Sequence, residues 1–458
     1  MASERNVKGY ILVLAVTVCS VSAFRLDQEL DLLNRTNLGY AALHGMTLES
    51  VDAVTADGWV LQLHRVRNMK TFKKSLSAPV LLSHGCACSS VDFMVNPRNE
   101  SLAFMLADRG YDVWAINYRA NKFSDKMIKG GRATKPNATD FYRATWQYMA
   151  EYDFPAALDK VLQVTGQKKV YLIGQSMGAT TLFAALSENK KYDDKILLYA
   201  ALVPVIRFGN DTAESLKASF SLAPTIPSLA GPETFESLFG RQLFDLSIPG
   251  VEALKEFIQS TVCSKVPEFC ELMSSLMEAL MGGNANPHIN QTREALYNIH
   301  NPAGVTAMNL YQFARQFGKS VWEKMDYDEV AQTGKTNMQE YGKTKPPRYN
   351  FSDVTVPVQY YFTKNDKYFG VATAQSLIKD LGIKDSDYKM IDGNGLEHHD
   401  TVWGWDARCY VYDHLLDRLD ALESSRSLIR KVFRQRMSRS AKSLPFEDGC
   451  PTKPKSRA

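Results

Sequence analysis

The feature that most constrains this chain is a five-residue run, Gly174-Gln175-Ser176-Met177-Gly178, set between two segments of different character. Before it, 169–173 (KVYLI) is a continuous apolar β-type run; after it, 179–187 (ATTLFAALS) is helix-prone. A G-x-S-x-G run at a strand-to-helix turn holds its serine on a sharp, strained corner with the hydroxyl presented at the strand's carboxyl end. Small residues are required at 174 and 178, because side chains there would collide with the elements that meet at the turn. The helix start behind the serine supplies partial positive charge where an oxyanion would develop. Ser176 is therefore the candidate nucleophile.

The surrounding pattern gives that corner a sheet to stand on. Apolar β-type runs occur at 79–83, 111–116, 169–173, 196–203, 356–362 and 388–391. They are continuous rather than alternating, as in strands buried on both faces of a parallel sheet. Helical stretches at 99–109 and 155–165 lie between the earlier runs, with Asp153 as N-cap and Pro155 in the first turn of the second. Alternating strands and helices predict an α/β fold with a mostly parallel central sheet. The alternation stops after Pro204 and resumes at Val356. The expected organisation is a core from 24–203 and 351–424, with a helical cap or lid at 204–350 inserted between late strands. In the insertion Leu272, Met273, Leu276, Met277, Leu280 and Met281 recur at helical spacing. Core packing is the first reading of that stripe and a lining for acyl chains the second, since methionine adapts to varied apolar shapes.

A serine hydroxyl needs a base, and the base needs an orienting acid. At a corner of this type the chain order is serine, then Asp or Glu, then histidine. Asp366 follows the 356–362 run, where a ligand-facing loop belongs. His398 and His399 follow the last strand, and the residues alone leave the choice between them open; the chain has only 8 histidines. A metal site formed by the pair with Asp400 matches no standard zinc spacing, so neither a metal nor another cofactor is expected. Ser83-His84-Gly85-Cys86 leaves the first buried strand, where an early loop supplies a backbone donor. The Cys86 and Met177 N–H groups are the candidate oxyanion hole, and His84 is read as structural.

The ends and the cysteines speak to compartment. Lys8, the apolar run at 10–18 and the small residues Val21-Ser22-Ala23 follow the grammar of a cleaved signal peptide spanning 1–23. The run is too short to span a bilayer. In an oxidising compartment cysteines pair. Cys263 and Cys270 flank a short loop and are the first candidates for a disulfide; the pairing of Cys86, Cys88, Cys409 and Cys450 stays open. Six glycosylation sequons, at Asn34, Asn99, Asn137, Asn210, Asn290 and Asn350, fit the same route. From 425 to 458 the chain has ten basic residues and two acidic ones, against a net charge of +4 for the whole. This composition reads as a disordered tail, with contact to an anionic surface as the alternative. Nucleic acid is not an expected partner, because no recognition motif accompanies the charge.

From about Leu43 to Leu419 the chain resembles the acid lipases of the gastric and lysosomal type, within the α/β-hydrolase superfamily. Val54 to Leu61 (VTADGWVL) is similar to the family's opening hairpin, and Gly110 to Asn121 (GYDVWAINYRAN) to its asparagine–arginine segment. Glu151 to Asp159 (EYDFPAALD) resembles the helix before the nucleophile strand, and His398 to Ala407 (HHDTVWGWDA) the histidine segment. The resemblance places the catalytic histidine on His398, with Asp400 and Trp403 in register, and the acid on Asp366. It also places the cap disulfide on Cys263 and Cys270 and the oxyanion donors on Cys86 and Met177. It implies a secreted, or alternatively lysosomal, lipase acting on neutral lipid esters at a lipid–water interface. The contrasting expectation is a catalytically silent hydrolase fold that binds or stores lipid. Three positions depart from the family's pattern: Gln175 where histidine is usual, Met177 where glutamine is usual, and Cys86 where an apolar residue is usual.

Overall fold

Strands buried on both faces need two layers of cover, and the chain builds both. The computed structural model describes residues 37–72, 77–214, 216–217, 242–243, 286–293, 296–297, 301–330 and 333–434. Twelve strands lie among them: β1 (Thr47–Val54), β2 (Trp59–Arg67), β3 (Val80–Ser83), β4 (Val113–Ala115), β5 (Lys126–Lys129), β6 (Arg132–Thr134), β7 (Val170–Gln175), β8 (Ile196–Leu202), β9 (Gln242–Leu243), β10 (Val305–Thr306), β11 (Val358–Thr363) and β12 (Tyr388–Ile391). Ten form one sheet in the order β12-β11-β8-β7-β3-β4-β2-β5-β6, with β1 on β2. The segment from β12 to β4 is parallel throughout, and β2 joins it antiparallel. The fold is α/β, and the six apolar runs of the sequence emerge as β3, β4, β7, β8, β11 and β12.

Side chains of a strand alternate between faces, and that alternation splits the apolar runs into two cores. Leu81, Leu172, Tyr199 and Ala201 face one core; Val80, Leu82, Tyr171, Ile173, Leu198 and Ala200 face the other. The first is covered by the helices Phe154–Thr165 and Met177–Glu188, the second by Leu102–Asp108 and the long helix Asp413–Arg434. Strands β8 and β11 are parallel neighbours although about 150 residues separate them, so the intervening chain leaves at the carboxyl end of β8 and re-enters the sheet at the amino end of β11.

Two local expectations change. Asp153 does precede the helix Phe154–Thr165, but its side chain makes no cap hydrogen bond. Its carboxylate instead binds Arg119, at 2.8 Å to Nε and 2.6 Å to an amino nitrogen, in a site closed to solvent. A buried carboxylate is better satisfied by a guanidinium than by one backbone N–H. The tail expected from 425 also starts differently: 425–434 continues the helix that began at Asp413. Arg426 pairs there with Glu423 one turn earlier, and Leu, Ile, Arg and Lys are adequate helix formers. Residues 435–458, the segment 1–23, Asn34, Cys263, Cys270 and the stripe at 272–281 lie outside the described residues.

Candidate active site

The carboxyl ends of β7, β11 and β12 deliver three side chains to one point. Ser176 follows β7 with φ 54° and ψ −122°, a backbone state that costs a non-glycine residue about 1–3 kcal/mol. The corner is locked from below: a Cβ on Gly178 would lie 2.3 Å from the Ser83 carbonyl oxygen, and one on Gly174 would lie 2.9 Å from Ala179 Cα. His398 follows β12, and its Nε2 lies 2.7 Å from Ser176 Oγ. Asp366 follows β11, and its Oδ2 lies 2.6 Å from His398 Nδ1. The Asp366 carboxylate also accepts from the Tyr368 N–H at 2.8 Å, which fixes its plane. All three side chains are buried. With Nδ1–H donated to the carboxylate, Nε2 is left to accept the serine proton.

His399, the competing histidine, points elsewhere. Its ring stands edge-on to Trp403 at 4.1 Å, and burial pushes its pKa down to about 3. Asp400 organises the turn that carries His398, accepting from the Glu397 N–H at 2.7 Å and from Asn286 at 2.7 Å. His84 lies under the early loop. It donates from Nδ1 to the Gly85 carbonyl at 2.8 Å and accepts at Nε2 from the Tyr118 N–H at 3.3 Å. Burial lowers its pKa to about 4, so it is a neutral structural imidazole.

Cys86 and Met177 flank the serine. Met177 is the first residue of its helix, so its N–H has no intrahelical acceptor. Both line an apolar pocket with Ser176, Val205, Phe208, Leu310, Phe313 and Tyr368, about 340 Å³ including the part open to solvent. Burial drives the Cys86 thiol up to about 12, so it remains a neutral group. Phe208 and Phe313 are backed by Trp322, with ring centroids 5.7 Å away in each case.

Asn309 is a participant that sequence reasoning missed. It sits on the helix Ala307–Ala314, inside the inserted segment, and is fully buried. Its Nδ2 lies 3.1 Å from Met177 Sδ and 3.7 Å from Cys86 Sγ, while its Oδ1 accepts from the Trp146 N–H at 2.7 Å. Nothing in the local sequence around 309 signals this, since both sulfur partners are more than 130 residues away. Tyr368 was also missed. Its ring packs 4.5 Å from that of His398, and its position two residues past the acid was the available hint.

Comparison with known proteins bears on this geometry. Residues 78–246 match the family description "alpha/beta hydrolase fold" and 39–97 match "Partial alpha/beta-hydrolase lipase region". The chain is 31% identical over 428 residues to Lipase lipl-1 of Caenorhabditis elegans, covering 90% of this chain and 98% of that one. It is 30% identical over 377 residues to gastric triacylglycerol lipase of Rattus norvegicus, covering 82% and 89%. The chain belongs to the acid lipase family. Like the other acid lipases it is a carboxylic ester hydrolase of lipid esters. Within this acid lipase the serine, histidine and carboxylate are continuous through hydrogen bonds, and Gln175, Met177 and Cys86 are accommodated around them without breaking that chain. Gln175 is buried beside Gly85, with its Nε2 lacking a hydrogen-bond partner among the described residues.

Proposed function

We propose that this acid lipase is a secreted enzyme that hydrolyses neutral lipid esters, triacylglycerol or sterol ester, through an acyl-enzyme on Ser176. The observation that carries the reading is the unbroken Ser176–His398–Asp366 relay opening on an apolar pocket. His398 Nε2 takes the proton as Ser176 Oγ attacks the ester carbonyl. The N–H groups of Cys86 and Met177 receive the oxyanion; such donors are typically worth about 3 kcal/mol each. The protonated imidazole, steadied by Asp366, returns its proton to the departing alcohol. Water then attacks the acyl-serine, giving its proton to His398, which passes it to the departing Ser176 Oγ as the fatty acid is released. An acyl chain suits the pocket because Val205, Phe208, Leu310 and Phe313 offer it apolar contact.

Secretion is supported by the segment 1–23 and by the sequons. Asn99, Asn137, Asn210 and Asn350 are exposed and Asn290 is half-buried, so glycans can be carried without entering the core. Among the described residues no helix is long and apolar enough to cross a membrane. A fluorophosphonate probe should label the wild type, and Ser176→Ala should abolish both labelling and hydrolysis of neutral lipids. Rates on triacylglycerols and sterol esters of increasing acyl length should favour long chains. Absence of labelling across pH, or a sharp preference for acetyl esters, would overturn the proposal.

A further inference from the structure

Behind the catalytic histidine lies a second group of chemistry-bearing side chains that the proposed hydrolysis does not use. Cys88, Asp92 and His399 are all buried, and their Sγ, carboxylate and ring-nitrogen atoms lie within 4.8 Å of one another. They come from two segments of the chain. Cys88 and Asp92 lie on the loop that follows β3, and His399 lies on the turn that follows β12. Ala87 takes a left-handed backbone, φ 58°, which turns the loop between Cys86 and Cys88.

The histidine is the telling member. It is 6% exposed, yet among the described residues neither Nδ1 nor Nε2 has a hydrogen-bond partner. Its Nε2 is 3.8 Å from Asp92 Oδ1, too far for a hydrogen bond. A neutral imidazole always has one donor and one acceptor nitrogen, so both capacities go unmet in a closed site. Asp92, in contrast, is held firmly. Its Oδ2 accepts from the Ser89 N–H at 2.7 Å, and its Oδ1 from Trp403 Nε1 at 2.9 Å and Asn301 Nδ2 at 3.0 Å. The Cys88 Sγ lies within 4.8 Å of the same carboxylate. The Lys122 ammonium attracts Asp92 through space but leaves the imidazole unsatisfied.

We propose that Cys88, Asp92 and His399 form a binding site for a divalent cation of the zinc class. One thiolate, one carboxylate and one neutral imidazole around a doubly charged ion give a unit of zero net charge, the form best tolerated in a buried site. The donor set mixes sulfur, nitrogen and oxygen, which suits a borderline ion and not calcium or magnesium. In a tetrahedral zinc site the donor atoms are about 3.3–3.6 Å apart, from metal–ligand bonds of ~2.0–2.3 Å. The 3.8 Å between His399 and Asp92 is close to that, and a bound ion would draw Cys88 in. The hydrogen bonds from Ser89, Trp403 and Asn301 orient the carboxylate in the way outer ligands orient a metal site. The ion would link the loop carrying Cys86 to the turn carrying His398, and its binding would release the Cys88 thiol proton.

The test uses the full-length protein, stripped with chelator and titrated with Co²⁺ as a spectroscopic probe. One equivalent should bind, with a thiolate-to-cobalt charge-transfer band in the near ultraviolet, and Zn²⁺ should displace it. Cys88→Ala should lose the band. His399→Gln should bind at least about 10-fold more weakly, since removing a ligand costs no less than disturbing its support. Ser176→Ala should bind as the wild type does, which separates this outcome from any failure of hydrolysis. Far-ultraviolet circular dichroism establishes that each variant is folded. Should a variant not fold, zinc content of the untreated wild type by mass spectrometry, expected at one per chain, decides the matter. Wild type that binds no Co²⁺ and carries no zinc would overturn the proposal, as would unchanged binding in folded Cys88→Ala and His399→Gln.

Discussion

His64 and His84 are buried with no counter-charge among the described residues, and burial holds both imidazoles near a pKa of about 4. Unfolded, each would titrate near 6.5, so below that pH the unfolded chain binds the extra protons. Folding stability is therefore unaffected by these groups above pH 6.5 and falls as pH drops from 6.5 toward 4. The slope is about 1.4 kcal/mol per pH unit for each histidine in that window. His64 hydrogen-bonds Ser90 at 2.6 Å and Gln62 at 3.0 Å, contacts that an amide side chain can partly reproduce. His64→Gln should accordingly lose less stability between pH 6.5 and 4 than the wild type, read from urea midpoints at several pH values. An equal or steeper acid limb would contradict the assignment. At this scale the residues alone narrowed the candidate base to two adjacent histidines, the family resemblance placed it on His398, and the surroundings of the two now differ. His398 hydrogen-bonds a carboxylate on one side and a serine on the other; among the described residues His399 hydrogen-bonds neither, with the Asp92 carboxylate 3.8 Å from its Nε2.

Single elements impose two constraints of different origin. The turn between β7 and the helix Met177–Glu188 is tight because Gly178 lies against the backbone of β3. Gly178→Ala would place a methyl carbon 2.3 Å from the Ser83 carbonyl and 2.5 Å from that of His84. Neither carbonyl can move without breaking β3, so a loss of about 3 kcal/mol or more is expected in chemical denaturation. That constraint was legible locally, from the glycine spacing. The second was not. Asn309 reaches the nucleophile corner from the helix Ala307–Ala314, and Asn309→Ala removes the acceptor of the buried Trp146 N–H. About 1–3 kcal/mol of stability should be lost. With Met177 and Cys86 less restrained, kcat should fall about 10-fold or more with KM changing less. Equal changes in both would place Asn309 in substrate binding instead.

At the scale of the whole molecule, Arg119 is a charged side chain that no solvent reaches. It bridges Asp153 ahead of the helix Phe154–Thr165 to Asp57 in the turn between β1 and β2, at 2.6 Å and 2.8 Å. Trp59 and Tyr152 also lie against its guanidinium, at 5.5 Å and 5.6 Å. Three distant parts of the chain are fastened by one side chain. Arg119→Met would leave Asp153 buried and uncompensated, and about 3–5 kcal/mol of stability should go. Arg119→Met combined with Asp153→Leu should recover part of that loss in urea unfolding; no recovery would argue that the arginine acts mainly through packing. Cysteines divide at this scale too. Cys86 and Cys88 are free and buried, whereas Cys409 is disulfide-bonded.

What the sequence by itself determined was periodic or contiguous. The apolar runs specified a parallel sheet, the glycine-flanked serine specified a corner, and the order of serine, acid and histidine specified the candidate relay. These follow from local sterics and from the repeat of a buried strand, which neighbouring residues encode. Only the tertiary structure decided what depends on through-space neighbours. It turned Asp153 from a helix cap into a partner of Arg119, and carried the helix through 425–434. It also brought Asn309 to the sulfur atoms of Cys86 and Met177, and Cys88, Asp92 and His399 to one another. Hydrogen bonds and buried charges are satisfied by whichever atoms the fold makes adjacent, and adjacency between residues hundreds of positions apart is fixed by the sheet order and not by any local pattern.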